Sequence, residues 1–262
     1  MSENQIRFED GAAYERFMGV WSRLAGDVFI DWLKPAQGLR WVDVGCGSGA
    51  FTDLLLERCA PVSVDGVDPS EQQLAFARTR TVGKAATFHL GSAEALPFAA
   101  DSFDAATMAL VIFFVPDPAR GVAEMARVVR PGGLIAAYAW DLLGGGFPLA
   151  PLQAELRAIG KTPMLPPSPD AGSADVMRKL WQDAGLESVE TRTIAVTRTF
   201  ADFEDFWTVA MLSPSTGAFL AKLDAREAAD FKTRLSARLP ADSSGRVTYT
   251  ARANAVKGIK PR

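Results

Sequence analysis

A glycine-rich turn between a short apolar run and an amphipathic segment constrains the fold more than any other stretch of this 262-residue chain. The run Trp41–Val44 is mostly apolar and β-favouring, and glycines follow at alternate positions from Gly45 to Gly49. Phe51, Leu54 and Leu55 then recur at helical spacing. Glycines let a ligand approach the backbone, and the first N–H groups of the following helix point toward it. The stretch therefore predicts the nucleotide-binding end of a doubly wound α/β sheet.

The glycine spacing alone leaves two cofactor classes open. Gly45-x-Gly47-x-x-Ala50 also satisfies the dinucleotide fingerprint, so a nicotinamide-dependent oxidoreductase is one alternative. Asp43 argues against it, because a carboxylate two residues before the turn would repel a pyrophosphate and would suit a cationic ligand. The alternative is that Asp43 has a purely structural role and only caps a loop.

A second acidic side chain ends the next strand. The strand predicted over 62–67 closes with Asp68-Pro69-Ser70, about twenty residues after the turn, where an acidic residue reaches ribose hydroxyls in this architecture. One carboxylate can accept hydrogen bonds from two hydroxyls. The alternative is that Asp68 caps the following helix, although Ser70 is also a good cap.

Further motifs follow in a fixed order. A loop runs from Gly91 to Phe98, a strand is predicted over 105–111, Asp117-Pro118 begins a helix, and the Arg130–Gly133 turn leads into a strand over 134–140. With the acidic glycine motif and the strand-end aspartate, this series over residues 12–140 resembles the class I S-adenosylmethionine-dependent methyltransferases, of the small-molecule, type 11-like kind.

The resemblance implies S-adenosyl-L-methionine as the cofactor and a set of contacts for it. The acidic turn would face the ammonium and sulfonium, Asp68 the ribose, and the loop from Ser92 to Leu96 the adenine. An aromatic and an arginine of the first helix would meet the methionine carboxylate, unless that helix only packs and turns its polar side to solvent. The expected cofactor-binding residues are Tyr14, Arg23, Asp43, Gly45, Cys46, Gly47, Asp68, Pro69, Ser92, Ala93 and Leu110.

The implied fold is a doubly wound, Rossmann-like α/β sheet of seven mostly parallel strands with helices on both faces. Five parallel strands would be followed by a pair, one of them antiparallel, with a helical insertion over 201–240 near the C-terminus. The whole chain, 1–262, is expected to be one methyltransferase domain with a cofactor-binding core at 12–140. Segments 141–185 and 201–240 are the candidate acceptor-site or lid elaborations.

Transfer of a methyl group from a sulfonium chiefly requires alignment of the acceptor, so no catalytic residue is assigned. Aromatic residues near the carboxyl end of the fourth strand or within reach of it are the candidate acceptor wall: Phe113, Phe114, Trp140, Phe147 and Trp207. Such a wall favours a small, largely apolar acceptor. These aromatics could equally be ordinary core, and a cofactor-binding protein without catalysis would keep the same motifs.

The composition limits the classes of binding partner that the sequence favours. The net charge is −3 with no basic stripe, which argues against nucleic acid, and Lys257, Lys260 and Arg262 are expected to form a solvated tail. Ala105–Pro116 is the longest apolar run and is too short to span a membrane. The polar N-terminal sequence and two cysteines predict a cytoplasmic protein without disulfides, and no metal site is expected. The oligomeric state is left open.

Overall fold

The computed structural model describes residues 18–81, 85–213, 220 and 223–262. Its strands are β1 Arg40–Val44, β2 Ser63–Asp68, β3 Ala86–Leu90, β4 Phe103–Ala109, β5 Val129–Trp140, β6 Glu187–Phe200 and β7 Val247–Ile259. They form one seven-stranded sheet in the order β3-β2-β1-β4-β5-β7-β6. The pairs within β1 to β5 are parallel, and β7 is antiparallel to both β5 and β6. The predicted mostly parallel sheet with one antiparallel strand is confirmed.

The helices follow the sequence pattern closely. They are α1 Val20–Leu33, α2 Ala50–Cys59, α3 Glu71–Arg80, α4 Pro118–Val128, α5 Ala150–Ala158, α6 Ala174–Asp183, α7 Phe203–Ala210 and α8 Ala225–Ala237. Ser70 caps α3 by accepting from the Gln73 N–H, and Asp117 caps α4 with Pro118 in its first turn. Short 3-10 helices cover Ile112–Phe114 and Pro169–Gly172. The helices α7 and α8 are the predicted insertion between β6 and β7.

Two successive residues of β4 show that helices cover both faces of the sheet. Met108 and Ala109 point to opposite faces because side chains alternate along a strand. Met108 lies against Gly121 of α4. Tyr138, the β5 partner of Ala109, packs its ring 4.6 Å from that of Phe29 on α1. The sheet is therefore enclosed by α4 on one side and α1 on the other, as in a doubly wound fold.

Two strand boundaries differ from the sequence-based expectation. β4 covers Phe103–Ala109 rather than 105–111, because Leu110 takes a positive φ of +61° and turns the chain out of the strand. β5 begins at Val129 rather than at 134, because Val129 pairs with Phe103 across an irregularity in the register.

Two of the three basic C-terminal residues, Lys257 and Lys260, are not part of a solvated tail, so the expectation is wrong for them, whereas Arg262 is exposed. Lys257 lies within β7 with its ammonium 4.7 Å from the centroid of the Trp32 ring. Lys260 pairs with Asp101 and donates to the Val129 carbonyl, both at 2.8 Å. Antiparallel pairing of β7 with β5 continues to Ile259, and this pairing places the two lysine side chains against the body of the protein.

Candidate cofactor and acceptor site

The glycine turn has the open backbone that a ligand needs. Gly45, Gly47 and Gly49 have φ values of +74°, +52° and +77°. The N–H of Gly45 donates to the Val67 carbonyl at 2.7 Å, and this hydrogen bond holds the turn next to the end of β2. A Cβ at Gly45 would lie 2.4 Å from a Val111 methyl, whereas a Cβ at Gly47 would meet nothing within 4 Å. Gly45 is therefore needed for packing, and Gly47 faces open space.

Asp43 is a buried carboxylate with one oxygen unpaired. Its side chain is 1% exposed, and Oδ2 accepts from the Thr52 hydroxyl at 2.7 Å. Oδ1 is also buried and has no hydrogen-bond partner within the described part of the chain. Burial raises the pKa of Asp43 to about 7, the Thr52 hydroxyl opposes this, and the charge of Asp68 adds to it. An unpaired buried carboxylate oxygen fits a cationic group such as the ammonium of S-adenosylmethionine, and it does not fit a pyrophosphate.

Asp68 joins the end of β2 to the glycine turn. Its Oδ2 accepts from the Gly47 N–H at 3.0 Å, and its Oδ1 accepts from the Ser70 N–H at 2.8 Å. Burial raises the pKa of Asp68, and these two N–H groups oppose the shift. Each oxygen keeps a further lone pair, so the carboxylate can also accept from two hydroxyls. The helix cap belongs to Ser70, which removes the simplest structural explanation for Asp68, and Pro69 between them is exposed.

The loop expected to contact adenine is fixed by α4. The Leu96 N–H donates to Glu124 at 2.8 Å, and the Asp117 N–H donates to Glu94 at 3.1 Å. Within the loop, the Ser92 hydroxyl accepts from the Glu94 N–H at 3.2 Å, which leaves its own hydrogen free to donate. Ala93 lies near Gly121 of α4. The structure thus holds Ser92 and Ala93 in one rigid loop beside the end of β3.

The structure does not bring Arg23 to the glycine turn. Its guanidinium donates to Glu57 at 2.5 Å and lies 3.6 Å from Asp27. Glu57 is in the last turn of α2, whereas the glycine turn precedes the first turn of that helix. The expected contact between Arg23 and a methionine carboxylate is therefore replaced by an ion pair between α1 and α2. Tyr14 lies outside the described residues.

The chain leaves β4 in a strained conformation beside the turn. Leu110 has a φ of +61°, and its N–H donates to the Tyr138 carbonyl at 2.7 Å. A positive φ is costly for a residue with a branched side chain, and such positions cluster at functional sites. The next residue, Val111, is the one that contacts Gly45, and Cys46 on the same turn is buried. The end of β4 and the glycine turn are therefore one packed unit.

The aromatic residues expected to form an acceptor wall lie in four different environments. Phe113 is 4% exposed and packs edge-on against Phe114, which is 40% exposed. Trp140 is only 1% exposed, so it belongs to the core, and its assignment to the wall is wrong. Phe147 is half-buried, and its carbonyl accepts from the Tyr249 hydroxyl at 3.4 Å.

Trp207 is half-buried at the contact between α7 and α8. Its ring centroid lies 6.5 Å from that of Phe231, and the Lys232 ammonium lies 5.2 Å from the Trp207 ring. The ring thus contributes to the packing of the insertion, and its expected contact with the acceptor stays a prediction.

The described residues were also searched for membrane-spanning helices and metal-binding groups. None of their helices is long and apolar enough to cross a membrane. In the same ranges, no group of three or more histidine, cysteine, aspartate or glutamate side chains is arranged to hold a metal ion.

The comparisons with known proteins concern the domain and the fold. Residues 42–137 match the family described as "Methyltransferase domain". The chain is 42% identical over 112 residues to 2-methyl-6-phytyl-1,4-hydroquinone methyltransferase 2 of Oryza sativa, covering 41% of this chain and 32% of the relative. It is 42% identical over 104 residues to an uncharacterised methyltransferase of Mycobacterium tuberculosis, covering 40% and 41% of the two chains. The chain therefore spans only about a third to two fifths of the length of these curated relatives.

The similar structures share the fold over most of the chain. The YcgJ protein of Bacillus subtilis superimposes with a TM-score of 0.61 at 17% identity, covering 91% of this chain and 98% of that one. Phosphoethanolamine N-methyltransferase 2 of Haemonchus contortus, in complex with S-adenosylhomocysteine, superimposes with a TM-score of 0.60 at 18% identity. The match covers 96% of this chain and 57% of that one. At these identities the likeness concerns the fold alone. Residues 42–137 thus match a methyltransferase domain, and this match together with the acidic glycine turn supports the class I S-adenosylmethionine-dependent methyltransferase family.

Proposed function

We propose that the protein transfers a methyl group from S-adenosylmethionine to a small, largely apolar acceptor by in-line displacement. The observation that supports this choice of acceptor is a set of exposed apolar side chains in the segments that follow β4 and β5. Both cysteines, Cys46 and Cys59, are free, which fits a reducing compartment, and we include a cytoplasmic location in the proposal. The acidic net charge of −3 supports an acceptor other than nucleic acid.

The cofactor would be held by groups that the fold already positions. Asp43 would accept from the ammonium with its unpaired Oδ1, and Asp68 would accept from the ribose hydroxyls. When bound, S-adenosylmethionine supplies an activated methyl group, and its transfer requires alignment more than acid–base chemistry. The buried side chains of Ile112 and Phe113 would exclude water from the end of β4. The protein's own contribution is thus to fix the cofactor and to place the acceptor.

Four exposed apolar side chains support an apolar acceptor. Phe114 follows β4 and is 40% exposed, and Leu143 follows β5 and is 59% exposed. Met164 and Leu165 are 44% and 39% exposed, and they shortly precede Ser168, whose N–H donates to the Phe113 carbonyl at 3.0 Å. Exposed apolar side chains grouped at a site favour an apolar ligand.

The names of related proteins do not decide the acceptor. The rice relative is named for a hydroquinone with a phytyl chain, which is consistent with an apolar acceptor. The Haemonchus structure holds phosphomonomethylethanolamine, which is polar. The same fold therefore serves both kinds of acceptor, so the acceptor class has to be inferred from the side chains of this protein.

A transfer assay with matched variants tests the acceptor class. We expect methyl transfer to alkylated hydroquinones to exceed transfer to phosphoethanolamine in the wild-type protein. Leu143→Ser should lower transfer to the alkylated acceptor several-fold, because burying one leucine against a ligand contributes about 1.5–3 kcal/mol at full burial. Val62→Ser is the control, since Val62 is 62% exposed just before β2, at the opposite edge of the sheet. Preferred methylation of phosphoethanolamine, or equal losses in both variants, would contradict the proposed acceptor.

A further inference from the structure

The β6–β7 ribbon extends beyond the edge of the sheet where the candidate site lies. The last residue of β5, Trp140, pairs with Ala253, so Val247–Arg252 continue past it together with their β6 partners. Since β7 is antiparallel to both neighbours, the carboxyl end of β6 is at the same edge as that of β5. Arg198 pairs with Tyr249, four residues beyond Ala253, which places this pair about 13 Å past the end of β5.

Arg198 lies on the inner face of this ribbon. Side chains of one face alternate along a strand, so Arg198 shares its face with Val196 and Phe200, which are 6% and 2% exposed. Its guanidinium carbon lies 4.5 Å from the Phe200 ring centroid, and this stacking fixes the guanidinium. The cross-strand partner Tyr249 has its ring 6.2 Å from that of Trp21. The face is therefore directed toward the start of α1 and the segment after β5.

The guanidinium of Arg198 is not paired. Its Nη1 is shielded from solvent and has no hydrogen-bond partner, and among the described residues no acidic side chain forms an ion pair with Arg198 within 4 Å. The Asp205 carboxylate influences the Arg198 guanidinium only through a longer-range electrostatic interaction. Oδ2 of Asp205 already accepts from the Ala201 N–H at 3.0 Å. Burial lowers the pKa of Arg198, but an arginine remains a cation in proteins. Arg198 is partly exposed, but its shielded Nη1 lacks the partner that buried donors normally have, which makes it a candidate ligand contact outside the cofactor site.

We propose that Arg198 binds a carboxylate group of the methyl acceptor. This inference rests on the proposed function and adds an acidic end group to the apolar acceptor. A single guanidinium with one shielded, unpaired nitrogen matches one negative charge better than the two of a phosphate. β6 lies two strand positions beyond β5, about 10 Å away, so the acceptor must be elongated. The class is an amphipathic monocarboxylic acid.

Calorimetric titration with simple amphiphiles tests the proposal without knowledge of the natural acceptor. Octanoate, octanol and octyl phosphate are titrated into protein saturated with S-adenosylhomocysteine. We expect octanoate to bind at least tenfold more tightly than octanol and more tightly than octyl phosphate. Arg198→Gln should abolish the preference for octanoate over octanol. Arg192→Gln is the matched control, because Arg192 is an exposed arginine of the same strand and its removal changes the net charge equally.

Each result of the titration bears on the proposal. Equal binding of octanoate and octanol, an unchanged preference in Arg198→Gln, or equal losses in both variants would overturn it. Tighter binding of octyl phosphate would overturn the choice of a carboxylate. Arg198→Lys retains the charge and should retain part of the preference, which covers the case in which the glutamine variant does not fold. Binding of S-adenosylhomocysteine to each variant is measured first, and its absence from the wild-type protein would count against the proposed function instead.

Discussion

At the residue scale, the carboxyl of Asp43 links cofactor binding to pH. Its folded-state pKa is raised to about 7, so the free protein binds a proton there at lower pH. A ligand ammonium would have to displace that proton. We therefore expect the affinity for S-adenosylhomocysteine to increase with pH up to about 7 and to level off above it. Below that pKa the loss approaches about tenfold for each pH unit.

Calorimetry between pH 5 and 8 measures this dependence. Asp43→Asn cannot ionise, so it should bind more weakly at pH 8 and show a much flatter profile. Asp68 is the other carboxyl near the turn whose pKa burial raises, and any slope that remains in Asp43→Asn belongs to it. A flat wild-type profile would mean that Asp43 does not meet the ammonium.

Asp68 offers a second prediction with a close control. Asp68→Ala removes an acceptor for the ribose and for the Gly47 N–H, and hydrogen bonds to a charged group contribute about 1.5–3 kcal/mol each. Affinity for S-adenosylhomocysteine should therefore fall by one or more orders of magnitude. Ser70→Ala removes only the cap of α3, which lowers the free energy of unfolding by about 1 kcal/mol. It should leave the affinity unchanged, and an Asp68→Ala variant that behaves the same way would limit Asp68 to a structural role.

At the element scale, one buried carboxylate joins the insertion to the body of the protein. Glu155 of α5 is 2% exposed and accepts from Arg234 at 2.5 Å and from Arg238 at 2.9 Å, both in or next to α8. Burial alone would raise the pKa of Glu155, but the two guanidiniums reverse this and hold it below its usual value. A lowered pKa stabilises the fold above the unfolded-state pKa, and this contribution is lost as the pH falls through the folded-state value.

We expect Glu155→Ala to lower the free energy of unfolding at pH 7 by about 1–3 kcal/mol. This is less than the ~3–5 kcal/mol of a fully buried pair, because both arginines remain partly hydrated. Urea denaturation measures the change. Asp183→Ala is the control, since it breaks the exposed pair between Lys179 and Asp183 on α6 and should cost only about 0.3–0.5 kcal/mol. Equal effects in the two variants would show that burial of Glu155 adds nothing.

At the scale of the whole molecule, the sequence predicts what depends on local pattern. The glycine turn and the caps at Ser70 and Asp117 each depend on a few neighbouring residues, and the structure agrees with them. The insertion between β6 and β7 was also predictable, because its helical stripe interrupts two stretches of strand-like alternation.

Features that depend on distant partners were not predictable from local pattern. Arg23 is on the polar side of its helix, but only the fold shows that Glu57 of another helix is its partner. Trp140 follows a strand as an acceptor-wall residue would, yet it is buried in the core. Lys257 resembles a tail residue until pairing with β5 is known. The position of Arg198 depends on the register of two strands about fifty residues apart, and the sequence predicts that these strands pair but not which residues face each other.

The last prediction concerns the stability of the whole protein with its cofactor product. A ligand that binds only the folded state at one hundred times its dissociation constant stabilises that state by about 2.7 kcal/mol. For a domain of this size, that corresponds to a rise in melting temperature of roughly 5–10 °C. S-adenosylhomocysteine should produce this rise, and NAD at the same concentration should not, because Asp43 would face the pyrophosphate with an unpaired oxygen. Asp43→Asn should reduce the effect of S-adenosylhomocysteine at that concentration. A rise with NAD and none with S-adenosylhomocysteine would overturn the cofactor assignment, since the glycine turn alone is compatible with either ligand.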